Sequence, residues 1–96
     1  KNEHVLSKQL LRSGTSIGAN VREASRGESK PDFYHKLNIA LKEADETDYW
    51  LNLLHDNGYL NDSNFDSINR DGIRIIKCLS AIVKSTKIKL NRLKAD

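Results

Sequence analysis

Apolar residues recur at three- and four-residue intervals through almost the whole of this chain, and its single proline, Pro31, interrupts none of the periodic stretches. No strand-like alternation of any length occurs. The pattern therefore confines the 96 residues to an all-α fold. The first stretch covers about 4–26, where Leu6, Leu10, Ile17, Val21 and Ala24 mark one stripe and Gly27 is a natural stop. The second covers about 31–57. Ser29 and Asp32 stand in capping-box spacing before it, and Pro31 lies in the first turn, where its lack of an N–H is harmless. Its main stripe is Phe33, Leu37, Ala40, Leu41, Ala44, Leu51 and Leu54, and Gly58 is the expected left-handed cap. Tyr59 and Leu60 are then expected to fold back onto the bundle. The third covers about 63–92, with Ser63 and Asp66 as a second capping box. Ile68, Gly72, Ile75, Leu79, Ile82, Thr86, Leu90 and Leu93 keep a heptad-like spacing along it, widened by Ile73, Ile76 and Val83. The loops between the stretches are short. Neighbouring helices should lie antiparallel, in one up-and-down bundle domain over 1–96.

The core of such a bundle must be mostly aliphatic, because aromatic residues make up only 6% of the chain. There is no apolar run of membrane-spanning length and no signal-peptide pattern, so neither a membrane span nor export is expected. The lone Cys78 rules out an internal disulfide and fits a reducing cytoplasm. Its neighbours Ile75, Ile76 and Leu79 predict a buried, structural thiol. The chain opens on Lys1 rather than methionine, which points to a natural N-terminus lying further upstream.

The first helical stretch contains a contradiction. At the centre of LLRSGTSIGANVREASR stand Gly14 and Gly18, four residues apart on one face, among Ser13, Thr15, Ser16 and Ala19. Each glycine costs a helix about 1 kcal/mol against alanine. Two readings follow. Small residues let another helix approach closely and gain van der Waals contact, or the helix is kinked or broken near Gly14. The polar residues of this stretch also have two readings. Arg12, Ser16, Asn20 and Glu23 share a face beside the apolar stripe, and Glu43, Glu46 and Trp50 form a comparable line on the second helix. They are either a solvated face or a network in which Arg12 or Arg22 pairs with Glu43 or Glu46. A network of that kind fixes register more than it adds stability, because desolvation offsets much of the Coulomb gain.

The segments LLRSGTSIGANVREA, DFYHKLNIALKEADETDYWLNLL and GYL together resemble the 23S rRNA intervening-sequence proteins, from about Val5 to Leu60, with the last helix similar in hydrophobic pattern. The resemblance implies a four-helix bundle, with a further helix before LSKQLLRSG that this chain does not carry. It also implies a homo-oligomer, usually a pentameric barrel. Gly14, Gly18, Asn20, Glu43 and Glu46, on the small-residue and polar faces described above, are the residues expected to serve packing or assembly. The accessory proteins of diversity-generating retroelements are similar in fold. That likeness implies a basic oligomer binding nucleic acid and a reverse transcriptase. No enzymatic activity and no cofactor is implied, and the cellular role of the family is poorly defined.

The residues themselves speak against catalysis. His4, His35 and His55 are scattered, and the last two lie roughly 30 Å apart along one helix. Cys78 has no partner at metal-ligand spacing. The Gly14–Gly18 run lacks the strand and spacing of a nucleophile elbow, and no phosphate loop occurs. Glu43, Asp45, Glu46 and Asp48 lack the Glu-x-x-His of a di-metal bundle, so they read as a solvated acidic face and no metal is expected.

Charge asymmetry is the remaining functional signal. From Ser67 onward stand Arg70, Arg74, Lys77, Lys84, Lys87, Lys89, Arg92 and Lys94 against only Asp71 and Asp96. Arg70, Arg74, Lys77 and Lys84 share one helical face, the candidate nucleic-acid-binding surface, since clustered cations favour polyanions through counterion release. No aromatic residue interleaves with them to stack on bases. Two functions stay open: an oligomer that binds RNA or DNA, and a scaffold whose partner is another protein.

Overall fold

The computed structural model describes residues 2–27 and 29–95 and contains three α-helices and, among those residues, no strand. Helix α1 is Asn2–Ser25, α2 is Lys30–Asp56 and α3 is Asp62–Ala95. Asp96, counted among the acidic residues of the last stretch, lies outside the described residues. Helix α1 runs unbroken through Gly14 and Gly18, so the reading of a break near Gly14 is set aside.

The helix ends show why the chain turns where it does. The Ser29 hydroxyl accepts from the Asp32 N–H at 3.2 Å, capping α2 with Pro31 just inside. At the other end Gly58 has φ +79°, and its N–H donates to the His55 carbonyl at 3.0 Å. The Tyr59 N–H reaches back to the Leu54 carbonyl at 2.9 Å, completing a Schellman motif that only a residue tolerant of positive φ can close cheaply. Tyr59 itself stays exposed and only Leu60 is half-buried, which corrects the expectation that both fold back. The cap of α3 also differs from expectation. Asn61, not Ser63, takes that place: its side-chain oxygen accepts from the Asn64 N–H at 2.8 Å and its carbonyl from the Phe65 N–H at 2.9 Å. An Asn side chain is as good an N-cap acceptor as Ser, and here it comes first in the chain. His55 ties the turn together. Its ring stacks on Phe65 at 4.1 Å, and its Nε2 lies 2.7 Å from an Asp62 oxygen.

Among the described residues, helix α2 alone packs on both other helices. Among the described residues, no Cα of α1 comes within 8 Å of a Cα of α3. The shared core is Ala24 of α1, Leu37, Ala40 and Ala44 of α2, and Leu79 of α3, with Ile17, Phe33, Leu41, Ile76 and Val83 packed around it. Leu51 and Leu54 extend the buried face of α2 towards its C-terminus. The molecule measures 53 × 19 × 16 Å, and its long dimension is the length of α3, whose 34 residues rise roughly 51 Å.

One expectation about α3 is corrected by this arrangement. Cys78 is exposed, not buried. Helix α3 meets α2 through Ile76, Leu79, Val83 and Thr86, and Cys78 projects roughly 100° around the helix from its neighbour Leu79. The heptad-like stripe is also only half covered. Leu79 and Thr86 are buried, while Ile68, Ile75 and Ile82 are each about two-fifths exposed.

The difference between the two halves of that stripe is measurable. Leu79→Ala should cost about 2–4 kcal/mol of unfolding free energy, the usual cost of emptying a buried leucine site. Ile75→Ala should cost under about 1 kcal/mol in the isolated subunit, as partly exposed positions do. Urea titrations of both variants in dilute solution check this.

Candidate functional site

Three surfaces compete for the role of functional site: the outer face of α3, the polar seam between α1 and α2, and the open groove between α1 and α3.

The outer face of α3 carries the sequence-predicted cations. Arg70, Arg74, Lys77 and Lys84 are all exposed, on the side of the helix away from Leu79 and α2. Among the described residues Arg70, Lys77 and Lys84 make no ion pair, and Arg74 has only Asp71, at 3.9 Å with both side chains more than two-thirds exposed. An ion pair so loose and solvated holds Arg74 hardly at all. The row continues past Lys84 into a shallow, mostly apolar depression lined by Ala81, Lys84, Ser85, Ile88, Lys89 and Arg92. The four predicted residues are thus brought together on one accessible face.

The seam between α1 and α2 holds the network reading of the polar residues. Arg12 reaches Glu43 at 3.4 Å and makes a closer pair with Glu46. Glu46 also accepts from the Trp50 indole N–H at 3.2 Å. Arg22 takes no part in this network, and Glu23 instead meets Lys36 at 3.6 Å. Asn20 bonds locally, donating to the Ser16 carbonyl at 2.9 Å. Two residues of the seam were not singled out by the sequence. Ser13 is fully buried; the Thr47 hydroxyl lies 2.9 Å from the Ser13 hydroxyl and 2.7 Å from the Glu43 carbonyl. Ser13 in turn donates to the Leu10 carbonyl at 3.2 Å. The signal for Ser13 was its position: it lies one turn before Ile17 on the stripe whose other members are apolar. Among the described residues no group of three His, Cys, Asp or Glu is placed to hold a metal, and two of the four acids near position 45 are used by Arg12.

The groove is apolar. Leu10, Leu11 and Gly14 of α1, Thr47 of α2 and Ile68 of α3 line a space of about 390 Å³, open along its length. Leu11 is more than two-thirds exposed. A Cβ placed on Gly14 or Gly18 would meet no atom within 4 Å. The close approach that these glycines permit is therefore not made by any helix of the same subunit.

Comparison with known proteins adds the following. The sequence model of a family described as "23S rRNA-intervening sequence protein" matches residues 1–81. A crystal structure from Bacteroides thetaiotaomicron, described as a protein of unknown function from the S23 ribosomal protein family, is similar, with a TM-score of 0.81 and 57% sequence identity. The match covers 83% of this chain and 74% of that one. No curated protein matches.

Ser13 and Gly18 give opposite expectations for the same substitution. Ser13→Leu puts three carbons in place of one buried hydroxyl oxygen and should destabilise the subunit by about 1–3 kcal/mol. Gly18→Leu meets open space and should leave the subunit at least as stable, gaining up to about 1 kcal/mol of helix propensity. Thermal and urea unfolding of the two variants distinguish them.

Proposed function

We propose that this chain, which belongs to the 23S rRNA-intervening sequence protein family, is a non-enzymatic helical-bundle protein that assembles with copies of itself and binds nucleic acid through the outer face of α3. The observation that carries the reading is the row Arg70, Arg74, Lys77 and Lys84: exposed, one-sided and almost without carboxylate partners. The side chains that pack α3 against α2 lie opposite, so the cations are not by-products of the core. The family's name, which refers to a sequence intervening in 23S rRNA, makes RNA the first ligand to test.

The bundle reading is antiparallel and four-helical. Contacts across the seam pair Arg12 with Glu43 and Glu46, Ser13 with Thr47 and Glu23 with Lys36, so partner numbers fall along α2 as they rise along α1. A further helix laid in the groove would cover Leu11 and Ile68. Self-assembly is supported by the apolar surface left open on α1 and α3, and five copies is the number that the family resemblance implies. The same groove favours a second reading, a scaffold that docks another protein; a reverse transcriptase is the partner implied by the likeness to retroelement accessory proteins. Among the described residues no helix is long and apolar enough to cross a membrane. With a single, exposed cysteine, we read the protein as cytoplasmic.

Binding is tested by fluorescence anisotropy of labelled RNA and DNA against salt. The expected result is binding at low salt, with each phosphate contact adding about 0.7–0.9 to the slope of log affinity against log salt. Arg70→Glu, Arg74→Glu and Lys77→Glu together should abolish it with helicity and assembly size unchanged. Failure of the wild-type protein to bind either nucleic acid would leave the scaffold reading. Assembly is checked separately by light scattering, where a stable monomer at micromolar concentration would refute it.

A further inference from the structure

The geometry of α3 points to the kind of nucleic acid: we infer that its outer face takes a double helix, gripped through phosphates of both strands, and not a single strand. This rests on the nucleic-acid reading above and goes beyond it.

The cations form two rails. Arg74 and Arg92 stand five full turns apart at about 3.6 residues per turn, so they share one azimuth. Lys77 and Lys84 are about two turns apart and share another, roughly 60–80° away around the axis. Between the rails run Ala81 and Ile88, uncharged and exposed, with Arg70 at the start of the same strip. All four rail residues are exposed, and Lys84 and Arg92 border the same shallow depression.

A single strand offers one line of phosphates and unstacked bases. Proteins that take it supply aromatic platforms for those bases. Helix α3 has one aromatic residue, Phe65, and His55 is stacked on it. A duplex offers two phosphate lines at fixed separation, flanking a groove. Helix α3 is straight enough to meet them: after Gly72 it contains neither glycine nor proline, and it runs unbroken to Ala95. Arg70 to Arg92 spans roughly 33 Å, the rise of about ten base pairs or one duplex turn, so a straight helix laid along the duplex meets both strands within its length. The small Ala81 and Ser85 let the helix surface come near, while long side chains reach outward to either strand.

The test uses labelled DNA and RNA duplexes of about 20 base pairs and their unstructured single strands, titrated at several salt concentrations. Duplex affinity should exceed single-strand affinity at least about tenfold, and contacts from Arg70, Arg74, Lys77, Lys84 and Arg92 should give a slope of about 4.5 per subunit, against about 3.5 on a single strand. The two duplexes show whether the B or the A form is preferred. Two paired variants examine the rails: Arg74→Glu with Arg92→Glu, and Lys77→Glu with Lys84→Glu. Each should weaken duplex binding at least tenfold and lower the slope by about 1.8. Should either pair lose helicity by circular dichroism, the Gln pair at the same positions carries the test. Single strands binding as tightly as duplexes, or one rail proving dispensable for the duplex, would overturn the inference while leaving nucleic-acid binding intact. No binding to any of the four probes would overturn both.

Discussion

Everything in this molecule hangs on one face of α2. Among the described residues no Cα of α1 lies within 8 Å of one of α3, so each flanking helix is held mainly by what it buries against that face. Ala40 and Ala44 lie one turn apart at its centre, both buried, with Leu37 beside them and Leu51 and Leu54 further along. Methyl side chains there let Ala24 and Leu79 come in from either side to a common core. Larger residues would push the flanking helices outward and divide that core in two. The same economy explains why so much apolar surface remains outside it. A helix of 34 residues packed on a partner of 27 has more stripe than its partner can cover, and three helices leave a furrow where the first and third fail to meet.

The polar seam adds something that the alanines do not supply. Small apolar contacts tolerate sliding by a turn; charged and hydroxyl pairs do not. Arg12 between Glu43 and Glu46, Ser13 against Thr47, and Glu23 against Lys36 all agree on one register of α1 along α2. Exposed ion pairs are each worth only about 0–1 kcal/mol. The buried hydroxyl pair is different in kind, because a slipped register would leave the fully buried Ser13 hydroxyl to find another partner. The seam thus selects among arrangements that the alanines would hold almost equally well.

These physical roles decide what could be read from the sequence. The three helices, the Ser29 cap and the Gly58 turn were legible because each depends on a few adjacent residues. The buried face of α2 was legible because it is covered from both sides, and periodicity then coincides with burial. On α3 the two part company. Ile68, Ile75 and Ile82 carry the same period as Leu79, yet one subunit has nothing to set against them, and the same blindness predicted a buried Cys78. Ser13 was passed over for the reverse reason: its polarity hides a burial that depends on Thr47, 34 residues away. The cationic face was the most legible part of the candidate site. Solvated cations need no partner within the subunit, so their placement follows from the helical period of α3 alone.

The exposed isoleucines and the cations of α3 can serve different partners at once, because they lie on different sides of the helix. Ile68 lines the groove and Ile75 and Ile82 follow it at seven-residue intervals, whereas the strip through Ala81 and Ile88 lies roughly a third of a turn further round, opposite the side that packs on α2. Covering the groove with another helix or another copy would therefore leave the cations in water. It would also change what they can do. A single subunit offers a handful of exposed, flexible charges, none of them ordered by a buried partner, and such a surface holds a polyanion only weakly and with strong dependence on salt. Repeating it on a rigid assembly makes the second and later contacts intramolecular, and affinity rises without any residue being added. A surface built from long, solvated side chains on a straight helix is suited to that use. Its selectivity comes from the spacing of charge, and its strength from the number of copies held in line.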